Sequence, residues 1–217
     1  MLSPAKVPGF CFGGGMSLFI EPESEAGSFV SKQNRARQFD FIHTSWAIAH
    51  YGVGLQVGHE FICDLNQYAT HYISPQPGQY RRHYNVKVQD HRPSEWFLVY
   101  EEMDLFIETL YKKWNDWDEL EAAAYALWAV NHIHPFCDGN GRTARALCYF
   151  VLCRKLGNWL RGRVAFIELI KEAEHTRYCE ILQRMHDAKT PEMLTDLTEM
   201  TAFLNDMILK QLATADD

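Results

Sequence analysis

Within one window of twelve residues, His134-Pro135-Phe136-Cys137-Asp138-Gly139-Asn140-Gly141-Arg142-Thr143-Ala144-Arg145, the chain gathers an imidazole, a carboxylate, two glycines and two guanidinium groups. Gly139 and Gly141 carry no Cβ, so the loop Gly139-Asn140-Gly141 can turn its amides inward and let a ligand approach closely. Such a loop opening onto a helix N-terminus holds anions through free N–H groups and the positive end of the helix dipole, and a phosphate fits there. Arg142 and Arg145 lie three apart in the first helical turn, from which both can reach successive phosphates in bidentate fashion. Cations at that end oppose the dipole by roughly a few tenths of a kcal/mol, a penalty that a bound anion between them removes. Polyphosphate normally arrives with magnesium, and Asp138 supplies one hard oxygen ligand; Mg²⁺ takes its remaining ligands from water and phosphate. His134, fixed by Pro135, is the candidate general base for a hydroxyl proton, its ordinary pKa near 6.5 being suited to neutral pH.

Each residue alone has a duller role: a structural histidine, a common turn, two solvated arginines. Their coincidence at one helix–loop–helix junction favours the site. The pair His132 and His134 also suggests a metal, but two histidines without an acidic or cysteine partner nearby make a poor zinc site.

Helical elements must position this loop. Upstream, Leu120, Ala123, Ala124, Leu127 and Trp128 form a wide apolar stripe that ends near His132, with Asp116 and Glu119 as its expected capping box. Downstream, Ala144, Leu147, Cys148, Val151 and Lys155 keep helical spacing until Gly157 closes the helix. Earlier stripes run through Phe41, Ile42, Ser45, Trp46 and Ala49, and through Phe61, Ile62, Leu65, Tyr68, Ala69 and Tyr72, the second stopping before Ser74-Pro75-Gln76-Pro77-Gly78. Val99, Met103, Phe106, Ile107 and Leu110 mark another helix, signalled from Ser94. Thr190-Pro191-Glu192 reads as the N-cap and first turn of a last one through Leu204. The one period-two alternation, Tyr84-Asn85-Val86-Lys87-Val88, predicts a short strand or hairpin whose unpaired backbone either is covered or pairs with an incoming peptide. Residues 1–36 read as an N-terminal extension and 37–217 as one helical domain.

The 217 residues suffice for one domain with a buried core, and 47% hydrophobic with 23% charged residues excludes a disordered or collagen-like chain. A formal charge of −7 argues against a broad grip on nucleic acid or an anionic membrane, so an anion must be held locally. No apolar run reaches membrane-spanning length and the first residues lack a signal-peptide core, so the expected compartment is the cytoplasm. Six cysteines without a CxxC pair (Cys11, Cys63, Cys137, Cys148, Cys153 and Cys179) read as free thiols.

The segment from His134 to Arg145 resembles, without gaps, the signature of the Fic family. Pro77-Gly78-Gln79-Tyr80-Arg81 and the alternation after it are similar to that family's lead-in to a target-binding flap, and the likeness extends over about residues 40–210. The resemblance implies an all-α Fic-type domain of about six to eight helices with one short β-hairpin flap. Its activity would be transfer of AMP from ATP to a Ser, Thr or Tyr hydroxyl of a protein. His134 would take the hydroxyl proton and Asp138 would hold Mg²⁺ on the α- and β-phosphates. Gly139, Asn140 and Gly141 would form the anion hole, Arg142 and Arg145 would meet the β- and γ-phosphates, and Phe136 would anchor the loop. Tyr84, Asn85, Val86, Lys87 and Val88 would hold the target chain. Partners implied are a protein with a modifiable hydroxyl, the enzyme itself as a target, and a separate inhibitor protein. The same site in relatives of this kind moves UMP, phosphate or phosphocholine, or removes AMP; Doc-like kinases carry lysine where Gly141 stands. Many family members bear an inhibitory helix of pattern Ser/Thr-x-x-x-Glu-Gly/Asn. The best counterpart here, Ser45 to His50, has Ala49 in place of the glutamate, which implies loss of that brake; Ser17 to Glu21 and Thr195 to Glu199 are looser matches.

Overall fold

The computed structural model describes residues 20–52, 54–88, 91–172 and 174–214, with the side chains of 171–172 left aside. The expected all-helical architecture is found, with eight α-helices among the described residues: α1 Glu25–His50, α2 His59–Thr70, α3 Val99–Lys112, α4 Glu119–Ile133, α5 Asn140–Leu156, α6 Phe166–Glu172, α7 His175–Asp187 and α8 Thr198–Ala213, plus a 3₁₀ turn at Trp96–Leu98. None of them is long and apolar enough to cross a membrane.

Its centre is the pair α4 and α5, joined by the loop 134–139. Every residue from Ala122 to Val130 is fully buried, as is nearly every residue from Ala146 to Cys153. A helix apolar on all sides is stable only when others surround it. Helices α1 and α2 cover α5, α3 and α8 cover α4, and α6 and α7 pack with α8 at one end. The short alanine side chains at 122–124, 126 and 129 let neighbouring helices approach closely.

Several local expectations are shifted by side-chain competition. Helix α1 begins at Glu25, inside the stretch read as an extension, because the Ser24 side chain accepts from the Gly27 amide. The capping box of α4 is Asp118 with Glu121, both halves formed, rather than Asp116 with Glu119. Asp116 instead pairs with Lys113 at 3.3 Å in the turn that ends α3. Thr190 does not start the last helix: its hydroxyl and amide close a turn onto Leu194, and α8 begins eight residues later, where Asp196 accepts from the Thr198 amide. Gly157 closes α5 as expected.

The segment 84–88 forms no strand. It carries a single bridge, Val88 to His91, and a second isolated bridge joins Tyr80 to Phe136. Its polar groups are met by side chains instead: Asn85 accepts from the Trp96 amide and donates to Glu95, and the Tyr84 carbonyl accepts from Arg81. Alternation predicted the extended shape but could not supply a partner strand. Among the described residues, Cys63, Cys137, Cys148, Cys153 and Cys179 are free thiols; Cys11 lies outside them.

Candidate active site

His134 stands at the C-cap of α4 with φ 53° and ψ 58°, and its amide donates to the Val130 carbonyl at 3.0 Å. That left-handed conformation, where glycine is commoner, ends the helix and turns the chain through Pro135 into the loop. Burial holds the His134 imidazole well below its ordinary value, down to about 4, so it is neutral and able to accept a proton.

The loop is held by its own buried residues. The Asn140 side chain accepts from the Phe136 amide at 2.9 Å and donates to the Phe136 carbonyl at 2.8 Å, closing the turn like a second backbone. Its role is therefore to shape the loop, with only its amide left for a ligand. Phe136 is fully buried and packs on Tyr80, ring centroids 5.2 Å apart, as an anchor should. Gly139 has φ 79°, and a Cβ there would lie 2.4 Å from Thr70 Cγ2 and 2.9 Å from Asn66 Nδ2, so both backbone and space demand glycine. At Gly141 a Cβ would press on Arg145 Nη1 at 3.3 Å.

Helix α5 has no side-chain cap. Among the described residues its first amides, those of Asn140, Gly141 and Arg142, find no acceptor; Thr143 is the first to bond back, to the Gly139 carbonyl. Three unpartnered N–H groups at a helix start make an anion site. Arg142 lies beside them, donating to the Ala69 carbonyl at 2.7 Å and to Asp138 Oδ2 at 2.8 Å. Arg145 makes no ion pair among the described residues. Asp138 Oδ1 accepts from the Gly139 amide at 2.6 Å, while the carboxylate as a whole is 45% exposed. Asp138 is the residue here that would suit a magnesium ion, a hard carboxylate oxygen being the ligand such an ion prefers.

The Tyr84 hydroxyl is close to the Cys137 thiol, and burial pushes its pKa up. The rest of segment 85–88 follows the Asn85 anchoring toward His91 without entering the loop's hydrogen bonds.

Two positioning residues escaped sequence reasoning. Arg81, 1% exposed, donates through Nε to the His134 carbonyl at 2.8 Å and through its other nitrogens to the carbonyls of Ile133, Tyr84 and Ser94. Its own amide donates to the Pro135 carbonyl at 2.7 Å. One guanidinium thus clamps the turn bearing His134 to the start of segment 84–88. Asn66, also 1% exposed, donates to the Asp138 carbonyl at 2.9 Å and to Thr143 Oγ1, and accepts from the Gly78 amide at 3.0 Å. The available signal was a polar pair, Asn66 and Thr70, four apart on the inward face of an apolar helix.

The proposed counterpart of an inhibitory helix is not placed for that task. Phe39 packs on Tyr149 and Trp46 Nε1 donates to the Cys153 carbonyl at 3.1 Å, so α1 runs along α5 away from its start. Cys153 is eight residues beyond Arg145, about 12 Å of helix, and Ala49 lies further on. The alanine there therefore says nothing about a brake at Arg145. Glu199 is engaged by Arg184 at 2.6 Å; Ser17 lies outside the described residues, and Glu21 is exposed with its carbonyl accepting from Ser24.

Residues 56–152 match the model of the Fic/DOC family. No curated protein matches the chain in sequence. Solved structures share the fold at low identity. A Fic domain containing signalling protein from Bacteroides thetaiotaomicron superposes with a TM-score of 0.70 at 17% identity, covering 88% of this chain and 72% of that one. Fic-1 (residues 134–508) from C. elegans does so at 0.62 and 18%, covering 91% and 55%, so this chain spans little more than half of it. BepC, a VirB-translocated effector from Bartonella tribocorum with bound AMPPNP, does so at 0.54 and 13%, covering 87% and 92%.

Proposed function

Since residues 56–152 match the Fic/DOC family model, we propose that this chain moves AMP from ATP to a Ser, Thr or Tyr hydroxyl of a protein and releases pyrophosphate. The observation that carries this reading is the convergence, in one loop, of three unpartnered α5 amides, two guanidinium groups and a neutral imidazole. The AMPPNP bound by BepC supports a nucleotide as the donor.

In this reading the amides of Asn140, Gly141 and Arg142 take phosphate oxygens, and Arg142 and Arg145 meet the outer phosphates. Asp138 is the residue that would hold Mg²⁺, which when bound neutralises phosphate charge. His134 takes the proton of the target hydroxyl as its oxygen bonds to the α-phosphorus and the bond to the β-phosphate oxygen breaks. A base held near pKa 4 binds a proton weakly by itself, and the negative triphosphate beside it raises that affinity at the moment of transfer. Tyr84, next to the loop, borders the place where the target arrives.

The test is incubation of the purified chain with cell extract, Mg²⁺ and ATP labelled at the α-phosphorus. Protein-bound label with wild type, and its loss in His134→Ala, is expected. No label, or equal label in the variant, overturns the reading.

A further inference from the structure

Three imidazoles meet at the C-terminal end of α4, close to His134. His91 follows the flap segment, His132 lies in the last turn of α4, and His186 lies in the last turn of α7. One ring nitrogen of each stands within 4.8 Å of those of the other two. His91 and His132 are buried and His186 half-buried. His91 stacks on His186 with centroids 3.8 Å apart, and His132 Nδ1 is 3.0 Å from His186 Nδ1.

Proton bookkeeping in this cluster leaves lone pairs over. A carbonyl only accepts, so the 2.8 Å contact of His91 Nε2 with the His132 carbonyl places the His91 proton on Nε2 and its lone pair on Nδ1. Between His132 and His186 one proton serves two facing nitrogens. Burial and mutual repulsion keep all three rings neutral, with Lys189 adding to the repulsion at His132 and His134 to that at His186; the hydrogen bond to the His132 carbonyl and then Asp187 act the other way, on His91. Neutral imidazoles are the form in which histidine binds metal, and a ring N–H donated to a backbone carbonyl, as from His91, is the usual support of such a ligand.

We propose that His91, His132 and His186 together bind one transition-metal dication, with Zn²⁺ as the natural occupant. Three imidazoles suit zinc, with metal–nitrogen bonds of about 2.0–2.1 Å and a fourth position for water. Two nitrogens 3.0 Å apart can share such an ion with little change. The third ring, His91, turns out of its stack on His186 and closes in from 4.8 Å by up to about 1.4 Å, since ligands in a tetrahedron stand about 3.4 Å apart. The ion would tie the flap's exit, the helix bearing His134 and α7 into one unit. It is separate from Asp138, whose oxygen suits magnesium, and independent of which group the loop transfers.

The test uses the whole chain, stripped with chelator, in a Co²⁺ titration read by visible absorbance and in thermal melts with Zn²⁺ or Mg²⁺. One equivalent of cobalt giving tetrahedral-type bands, displaced by Zn²⁺, and a melting point raised by Zn²⁺ but not Mg²⁺ are expected. His186→Ala, at the half-exposed ring and checked for helix content, should bind at least tenfold more weakly, and Asp138→Asn should bind as wild type does. Absence of the bands and of stabilisation by Zn²⁺ in wild type, or unchanged binding in His186→Ala, would overturn the proposal.

Discussion

His134 performs two tasks that a substitution can separate. Its backbone sits at φ 53°, a region that costs a non-glycine residue about 1 kcal/mol, while its ring is the proposed base. His134→Gly should therefore abolish labelling yet leave the melting temperature unchanged or higher; a clearly lowered melting temperature would mean that the ring is chiefly structural. Gly139 offers a sharper steric test. Gly139→Ala meets Thr70 Cγ2 and a positive φ at once and should destabilise by about 1–3 kcal/mol. Thr70→Ser removes that methyl but keeps the hydroxyl that bonds to Asn66, so the double variant should recover part of the loss, as denaturant titration will show. At this scale the sequence was highly legible: the chemistry-bearing residues are contiguous, and their spacing alone placed imidazole, glycines and arginines around one helix start. Asn140 was legible as a loop residue but not as the one whose side chain closes the loop, because that depends on which way an amide turns.

Elements were read well where apolar spacing is long and poorly where polar side chains compete. The stripes of α2, α4 and α5 emerged from spacing because burial on most faces leaves little else for them to be. Caps and turns rest on single hydrogen bonds, and several candidates were available to each. The cap of α4 is a direct case: Asp118→Ala should cost about 1 kcal/mol of stability and Asp116→Ala under about 0.5, whereas the reverse order would restore the original reading. Arg81 was hidden for a different reason. Its acceptors lie 3, 13, 52 and 53 residues away, a pattern only the fold creates. Arg81→Met leaves four buried or half-buried carbonyls without their donor and should cost about 3 kcal/mol, with faster proteolysis in 81–91. Cleavage and stability like wild type would show that the clamp is dispensable.

The whole molecule is a scaffold that holds one polar bend against an apolar helical pair. Buried α4 and α5 fix the two ends of the bend, α2 braces it through Asn66, and the flap's first residues are fastened to it through Arg81. That arrangement gives an acidic chain, with a formal charge of −7, a local site suited to an anion: its attraction would come from nearby amides and two guanidiniums, in spite of the overall field. The histidine cluster at 91, 132 and 186 belongs to this scale too. His132 and His134 read as a weak pair along the chain, and only the docking of α7 and the flap exit brings His132 its partners.

The central claim concerns which phosphorus is attacked, and parallel incubations with ATP labelled at the α- or the γ-phosphorus test it most directly. The account predicts protein-bound α-label, with the γ-label released as pyrophosphate. Transfer of the γ-label to protein, with the α-label left in ADP, would contradict it.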